Sequence, residues 1–202
     1  MLPARRYYAQ VILLACFVNN ITAMEKSSNV YSSSVRQRAS GKLLELMRGC
    51  KTPPVIVCIG SDRVTGDCLG PIVGHLLTKK YNIKTYVYGT LDRPVTALNL
   101  SESAGFIKQA HPKRKVLAVD AALGKPADVG LIRINRGGVY PGSAVAKVLP
   151  KVGDYSIIAV VNTGGQNGGI NLNATRLNFV MLLAEAIAGG INDALAVKAA
   201  GQ

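Results

Sequence analysis

Three apolar runs restrict what this chain can become: VIVCIG at 55–60, KVLAVD at 115–120 and YSIIAVVN at 155–162. Each is too short for a helix, and none alternates with polar residues. Each therefore reads as a strand buried on both faces. Such strands pair in parallel and need helices above and below them. The intervening sequence supplies those helices. Leu69, Ile72, Val73, Leu76 and Leu77 recur at helical spacing after the first run, and Pro71 falls in the first turn, where a missing backbone donor does no harm. Gly70 and Gly74 would let this helix lie close to the sheet. KTYVYG (84–89) reads as a second strand, and residues 92–111 as a loop and a second helix. VGLIRINRG (129–137) alternates and pairs as a further strand; a glycine- and proline-punctuated connection runs from 137 to 154. A polar loop spans 163–173. The last long helix starts near Ala174, with Leu177, Val180, Met181, Ala184, Ile187 and Ala188 on one stripe, and a short terminal helix follows Gly190. The expected fold is a three-layer α/β/α sandwich with a mainly parallel sheet.

That domain is expected over residues 51–202, with residues 1–50 as a flexible extension. Arg5 and Arg6 precede an apolar stretch over 11–18 and then small residues, the pattern of a signal peptide. Eight residues fall far short of the ~20 that cross a membrane. Translation from Met24 is the alternative, and an inhibitory pro-segment is compatible with the same composition. Residues 25–40 are serine-rich, and GKLLELMR (41–48) can form a turn or two of helix through Leu43, Leu44 and Met47.

The formal net charge is +13, of which residues 1–50 carry +5 (seven Lys and Arg against two Glu). The excess is spread along the chain, and Lys113, Arg114 and Lys115 form its compact cluster. A basic surface suits an acidic or nucleic-acid-bound partner; ordinary solvated lysines are the simpler reading, and no direct nucleic-acid contact is expected. Cys16, Cys50, Cys58 and Cys68 match no zinc spacing. Cys58 packs within a strand as a reduced thiol, which points to the cytoplasm.

The bend IGSDRVTGDCLGP (59–71) carries the chemistry. It lies where glycine-rich turns cradle phosphate, but Gly60 and Gly66 are one residue too far apart for a P-loop, and Asp67 occupies the place of its lysine. A carboxylate there would repel a phosphate, and GxGxxG is also absent. Taken alone, Asp67 is a helix cap. Asp120 closes the third strand and is expected to be half-buried, which calls for a partner. If the first and third strands are neighbours, both acids face one cleft beyond the carboxyl ends of the strands. Such a pair can share a proton, one acid activating water while the other protonates the substrate, or it can hold a divalent metal.

VTGDCLGP, AVDAALG, PGSAVAKVLPKVGD and TRLNFVMLLAEAIA together resemble the YyaC-like sporulation proteins, a family of spore-protease type, over about 54–190. The germination protease, an aspartic-type endopeptidase of spores, is similar more distantly. That resemblance implies catalytic acids at Asp67 and Asp120, small acid-soluble spore proteins as substrates, and a place in the forespore or spore core. It leaves open a catalytically silent binding or regulatory module using the same acidic cleft, and a homo-oligomer. Hydrogenase maturation endopeptidases look like a third branch, with two acids and a histidine that recognise nickel. Here His75 lies eight residues beyond Asp67, about 12 Å along a helix, and His111 sits at a helix end expected to be exposed, so neither fits as a third ligand. No cofactor is expected unless Asp67 and Asp120 hold a metal. Candidate binding residues are Ser61, Asp62, Arg63 and Thr65 of the bend, with Asp62 and Arg63 as a local ion pair. Asp154 before the last strand and Arg176 at the start of the last helix complete the set, and Thr175 is the expected helix cap.

Overall fold

The computed structural model describes residues 33–141, 150–165 and 168–201. The signal-peptide, Met24-start and pro-segment readings of residues 1–32 lie outside the described residues, as do 142–149 of the long connection.

Five strands form one sheet: β1 (Val55–Cys58), β2 (Val87–Tyr88), β3 (Val116–Gly124), β4 (Ile132–Arg136) and β5 (Tyr155–Thr163). Their order is β2-β1-β3-β5-β4, and every pairing is parallel except β4 with β5. The three apolar runs thus occupy the three central positions, where both faces need cover. β4 alternates because it is an edge strand, with Ile132 and Ile134 buried and Arg136 exposed.

The pleat sends alternate residues to two cores. Ile56, Cys58, Leu117, Val119, Ile157 and Ala159 face one side. There they meet α1 (Ser33–Leu46), α2 (Leu69–His75, continued by a π-helical turn over Leu76–Lys80) and α5 (Leu177–Ala200). Val55, Val57 and Ala118 face the other side, against Leu100 and Ile107 of α3 (Leu100–Ala110) and the Val139–Val152 bridge. The result is the three-layer α/β/α sandwich. The close approach of α2 to the sheet is real: a Cβ on Gly70 would lie 2.0 Å from the Ile59 carbonyl oxygen, and one on Gly74 2.2 Å from that of Gly89.

Several expectations are corrected. Part of the supposed N-terminal extension belongs to the body. Helix α1 begins at Ser33 and buries Ala39, Leu43, Leu46 and Met47, an i, i+4, i+7, i+8 stripe hidden in the sequence by its polar neighbours. The last helix does not stop at Gly190. It runs unbroken to Ala200 because Gly189 and Gly190 form the surface that α1 crosses. A Cβ on Gly190 would fall 2.7 Å from the Ala39 Cβ, and one on Gly189 2.9 Å from Arg36. Arg36 also grips Asp193 of α5 through two hydrogen bonds. By length and apolar composition α5 could cross a membrane, but half of its most apolar stretch is buried inside this domain. The expected loop after β5 contains a short helix, α4 (Gly168–Asn173). Thr175 does not cap α5: Arg176 holds the cap position without a side-chain cap, and the Thr175 hydroxyl donates instead to the Asn171 carbonyl at 2.8 Å. His111 is half-buried rather than exposed, with Nε2 2.8 Å from the Tyr88 hydroxyl and its ring 4.2 Å from that of Tyr86.

Candidate active site

The sheet has a step. β1 ends at Cys58, opposite Val119, whereas β3 and β5 run on together to Gly124 and Thr163. Ile59 still donates to the Val119 carbonyl at 2.7 Å; Gly60 then turns away and donates to Val95 at 2.9 Å. Asp120 is the first residue of β3 beyond this step.

The bend after β1 folds back to meet it. Ser61 N–H donates to the Asp67 carbonyl at 3.1 Å, which closes the loop. Gly60, at φ 144°, sits so close beneath the turn that a Cβ would lie 2.0 Å from the same oxygen. Residues Thr65–Cys68 form a 3₁₀ turn that leads into α2, held by the Cys68 thiol donating to the Thr65 carbonyl at 2.9 Å. Asp67 is thereby aimed at the step from a short, braced element.

The two acids feel each other. Burial raises the Asp67 carboxyl above its ordinary value, opposed by the Ser61 backbone N–H. Asp120 is pushed up to about 8, first by burial and then by the negative charge of Asp67, against one stabilising hydrogen bond from the Ala121 N–H at 2.9 Å. Neither acid takes part in an ion pair among the described residues. At both carboxyls low-dielectric surroundings favour the neutral form, and at Asp120 the Asp67 charge adds to this.

The other candidates divide. Ser61 shapes the bend through its backbone N–H and through its hydroxyl, which accepts from the Arg63 N–H at 3.3 Å, and Thr65 does so through its carbonyl. Asp62 and Arg63 are both exposed and form no ion pair with each other, because the loop turns both side chains outward. Arg176 is exposed at the start of α5. Asp154 is not part of this site. It lies at the opposite end of the strands, where its carboxylate accepts from the Lys115 ammonium at 2.8 Å and the Val116 N–H at 2.9 Å. His75 is half-buried on α2, and its Nδ1 is buried without a partner. Among the described residues no group of three or more His, Cys, Asp and Glu converges, so Asp67 and Asp120 would be the side-chain ligands of any cation here.

One set of residues escapes the sequence reading. Asn162 is the penultimate residue of β5, and its amide donates to the Asn171 carbonyl at 2.8 Å and to the Thr175 hydroxyl at 3.1 Å. Asn171 donates back to the Thr163 carbonyl at 2.8 Å. This knot docks α4 against the acid-bearing turn: a Cβ on Gly66 would lie 2.9 Å from the Thr175 Oγ1. The signal was present, since Asn162 follows an apolar run in the sequence as Asp120 does, although both strands continue past these residues, β3 to Gly124 and β5 to Thr163.

Comparison with known proteins agrees with this architecture. The chain is 41% identical to the uncharacterized protein YyaC of Bacillus subtilis (strain 168) over 170 residues, covering 84% of this chain and 78% of that protein. Its fold is similar to that of the NiFe hydrogenase maturation protease HycI from Thermococcus kodakarensis KOD1. The TM-score is 0.50 at 23% identity, over 76% of this chain and 98% of that one. Residues 27–190 match the family described as protein of unknown function, DUF1256, and the chain belongs to that family.

Proposed function

We propose that this chain is an aspartate-dependent endopeptidase of the forespore, with Asp67 and Asp120 as its acid–base pair and small acid-soluble spore proteins as substrates. The reading is carried by two half-buried acids without an ion-pair partner among the described residues, with burial and the Asp67 charge both favouring a protonated Asp120. The maturation-protease fold and the resemblance to the germination protease support it.

In this scheme ionised Asp67 takes a proton from a water molecule as its oxygen attacks the scissile carbonyl carbon. Neutral Asp120 gives its proton to the carbonyl oxygen, forming a tetrahedral diol. The proton now on Asp67 then passes to the peptide nitrogen, and the C–N bond breaks. The diol returns a proton to Asp120 as the new carboxyl group forms. Water is consumed and the pair is regenerated.

The test is a digest of purified small acid-soluble spore protein followed by mass spectrometry. Cleavage should fall about 10²–10⁴-fold in Asp67→Asn and in Asp120→Asn, the range of a lost general acid or base. Undiminished cleavage by both variants would refute the mechanism. Absence of product from the unaltered protein, with or without added divalent cation, would favour the silent binding module. Product that disappears with a chelator would make the pair a metal site.

A further inference from the structure

At the other end of the strands lies a groove of about 890 Å³ between α3 and the segment 150–154. Lys108, Lys113, Arg114, Lys115 and Lys151 line it, and Asp154 is its one carboxylate. Asp154 is already engaged by Lys115 and by the Val116 N–H. Among the described residues Lys108 and Lys113 have no carboxylate partner. The groove therefore concentrates uncompensated positive charge in a concave wall, which raises the local density of anions.

Two tyrosines outside the lining lie against its cations. Arg114 lies over the Tyr86 ring at 5.1 Å and Lys151 over the Tyr140 ring at 5.5 Å. Tyr140 is 69% exposed, so its ring offers a surface to a partner. Tyr86 is already engaged, by Arg114 and by His111, a lining residue whose ring lies against it at a tilt of 41°.

We infer that this groove binds a single strand of nucleic acid, its phosphates on the lysines and a base on the exposed Tyr140 ring. A basic track with aromatic platforms is the arrangement single-strand binders use. An acidic peptide would occupy the cations and leave the Tyr140 ring in water. The volume falls in the range of small-ligand sites, about 300–1,000 Å³. The site departs from the expectation of no nucleic-acid contact because its cations come from two segments that only the fold brings together. It is independent of the acid pair: Val116 and Asp120 are roughly 13 Å apart along β3.

The test is fluorescence anisotropy of the full chain with a labelled oligothymidylate of about twelve nucleotides. Binding should weaken with salt at about −0.7 in log–log slope per phosphate neutralised. Lys113→Glu with Lys151→Glu should lower affinity more than tenfold, and the milder Lys113→Gln with Lys151→Gln should lower it in the same direction. Tyr140→Ala should lower it at least fivefold. Circular dichroism of each variant checks the fold, and Asp67→Asn should bind as the unaltered chain does. Absence of binding, or binding indifferent to the lysine changes, would overturn the inference. So would equal binding of a duplex with no effect of Tyr140→Ala, or full displacement by a polyglutamate peptide at equal concentration.

Discussion

Replacing Asp120 by asparagine should make the folded protein more stable while it removes the proposed activity, and the gain should depend on pH. Asn is nearly isosteric and keeps the oxygen that accepts from the Ala121 N–H. What it removes is a group whose proton is held up to about 8 in the fold, against an ordinary 3.8. Between those values the folded chain keeps a proton that the unfolded chain gives up. This group's contribution to stability is therefore full below about 4, falls as pH rises, and levels off above about 8. At about 1.4 kcal/mol per pH unit, the unaltered protein loses on the order of 5 kcal/mol across that window, an upper bound, and the variant loses none of it. The assay is urea denaturation at pH 4.5 and pH 8, followed by circular dichroism because the chain has no tryptophan. The variant should exceed the unaltered protein by several kcal/mol at pH 8 and nearly match it at pH 4.5. A difference that stays flat with pH, or a variant weaker at pH 8, would refute a half-buried Asp120 that favours the neutral form.

Three further outcomes follow from the same coordinates. Asp67→Asn should lower the Asp120 titration midpoint, since the Asp67 charge is the second cause of its rise; carbon-detected NMR of the carboxyl reads this directly. Gly89→Ala should destabilise by more than about 3 kcal/mol, because φ is 85° and a Cβ would lie 1.8 Å from the Cys58 carbonyl oxygen. Gly105→Ala, on helix α3 with nothing within 4 Å, should instead gain up to about 1 kcal/mol, and thermal melts of the two variants make the comparison. A chain beginning at Lys51 should lack a cooperative unfolding transition. It loses Leu43, Leu46 and Met47 from the core, at about 1.5–3 kcal/mol each, which rivals a typical total of about 5–15 kcal/mol.

The central sheet is legible because its strands are buried on both faces, so the residues themselves carry the pattern. Asp67 and Asp120 are legible for a related reason: an acid ending an apolar run, or following one, has few structural uses. Their meeting is a property of strand order, which no local pattern encodes. Helix α1 is obscured because its stripe includes Ala39, a small residue suited to Gly190 and unremarkable by itself. Gly189 and Gly190 mislead for the converse reason. Adjacent glycines signal a break in an isolated helix, and only the crossing partner turns them into a contact. Asp154 shows the same limit, since its place at the start of β5 puts it at the wrong end of the strands for the acid pair.

The crossing of α1 over α5 joins the first described element to the last. During synthesis α1 leaves the ribosome well before its glycine-lined seat exists, and its apolar stripe has nothing native to cover until the final helix emerges. Closure of this domain is thus a late event that requires the whole polypeptide, and a chain truncated within α5 would strand α1 as an adhesive amphipathic segment open to chaperones and proteases.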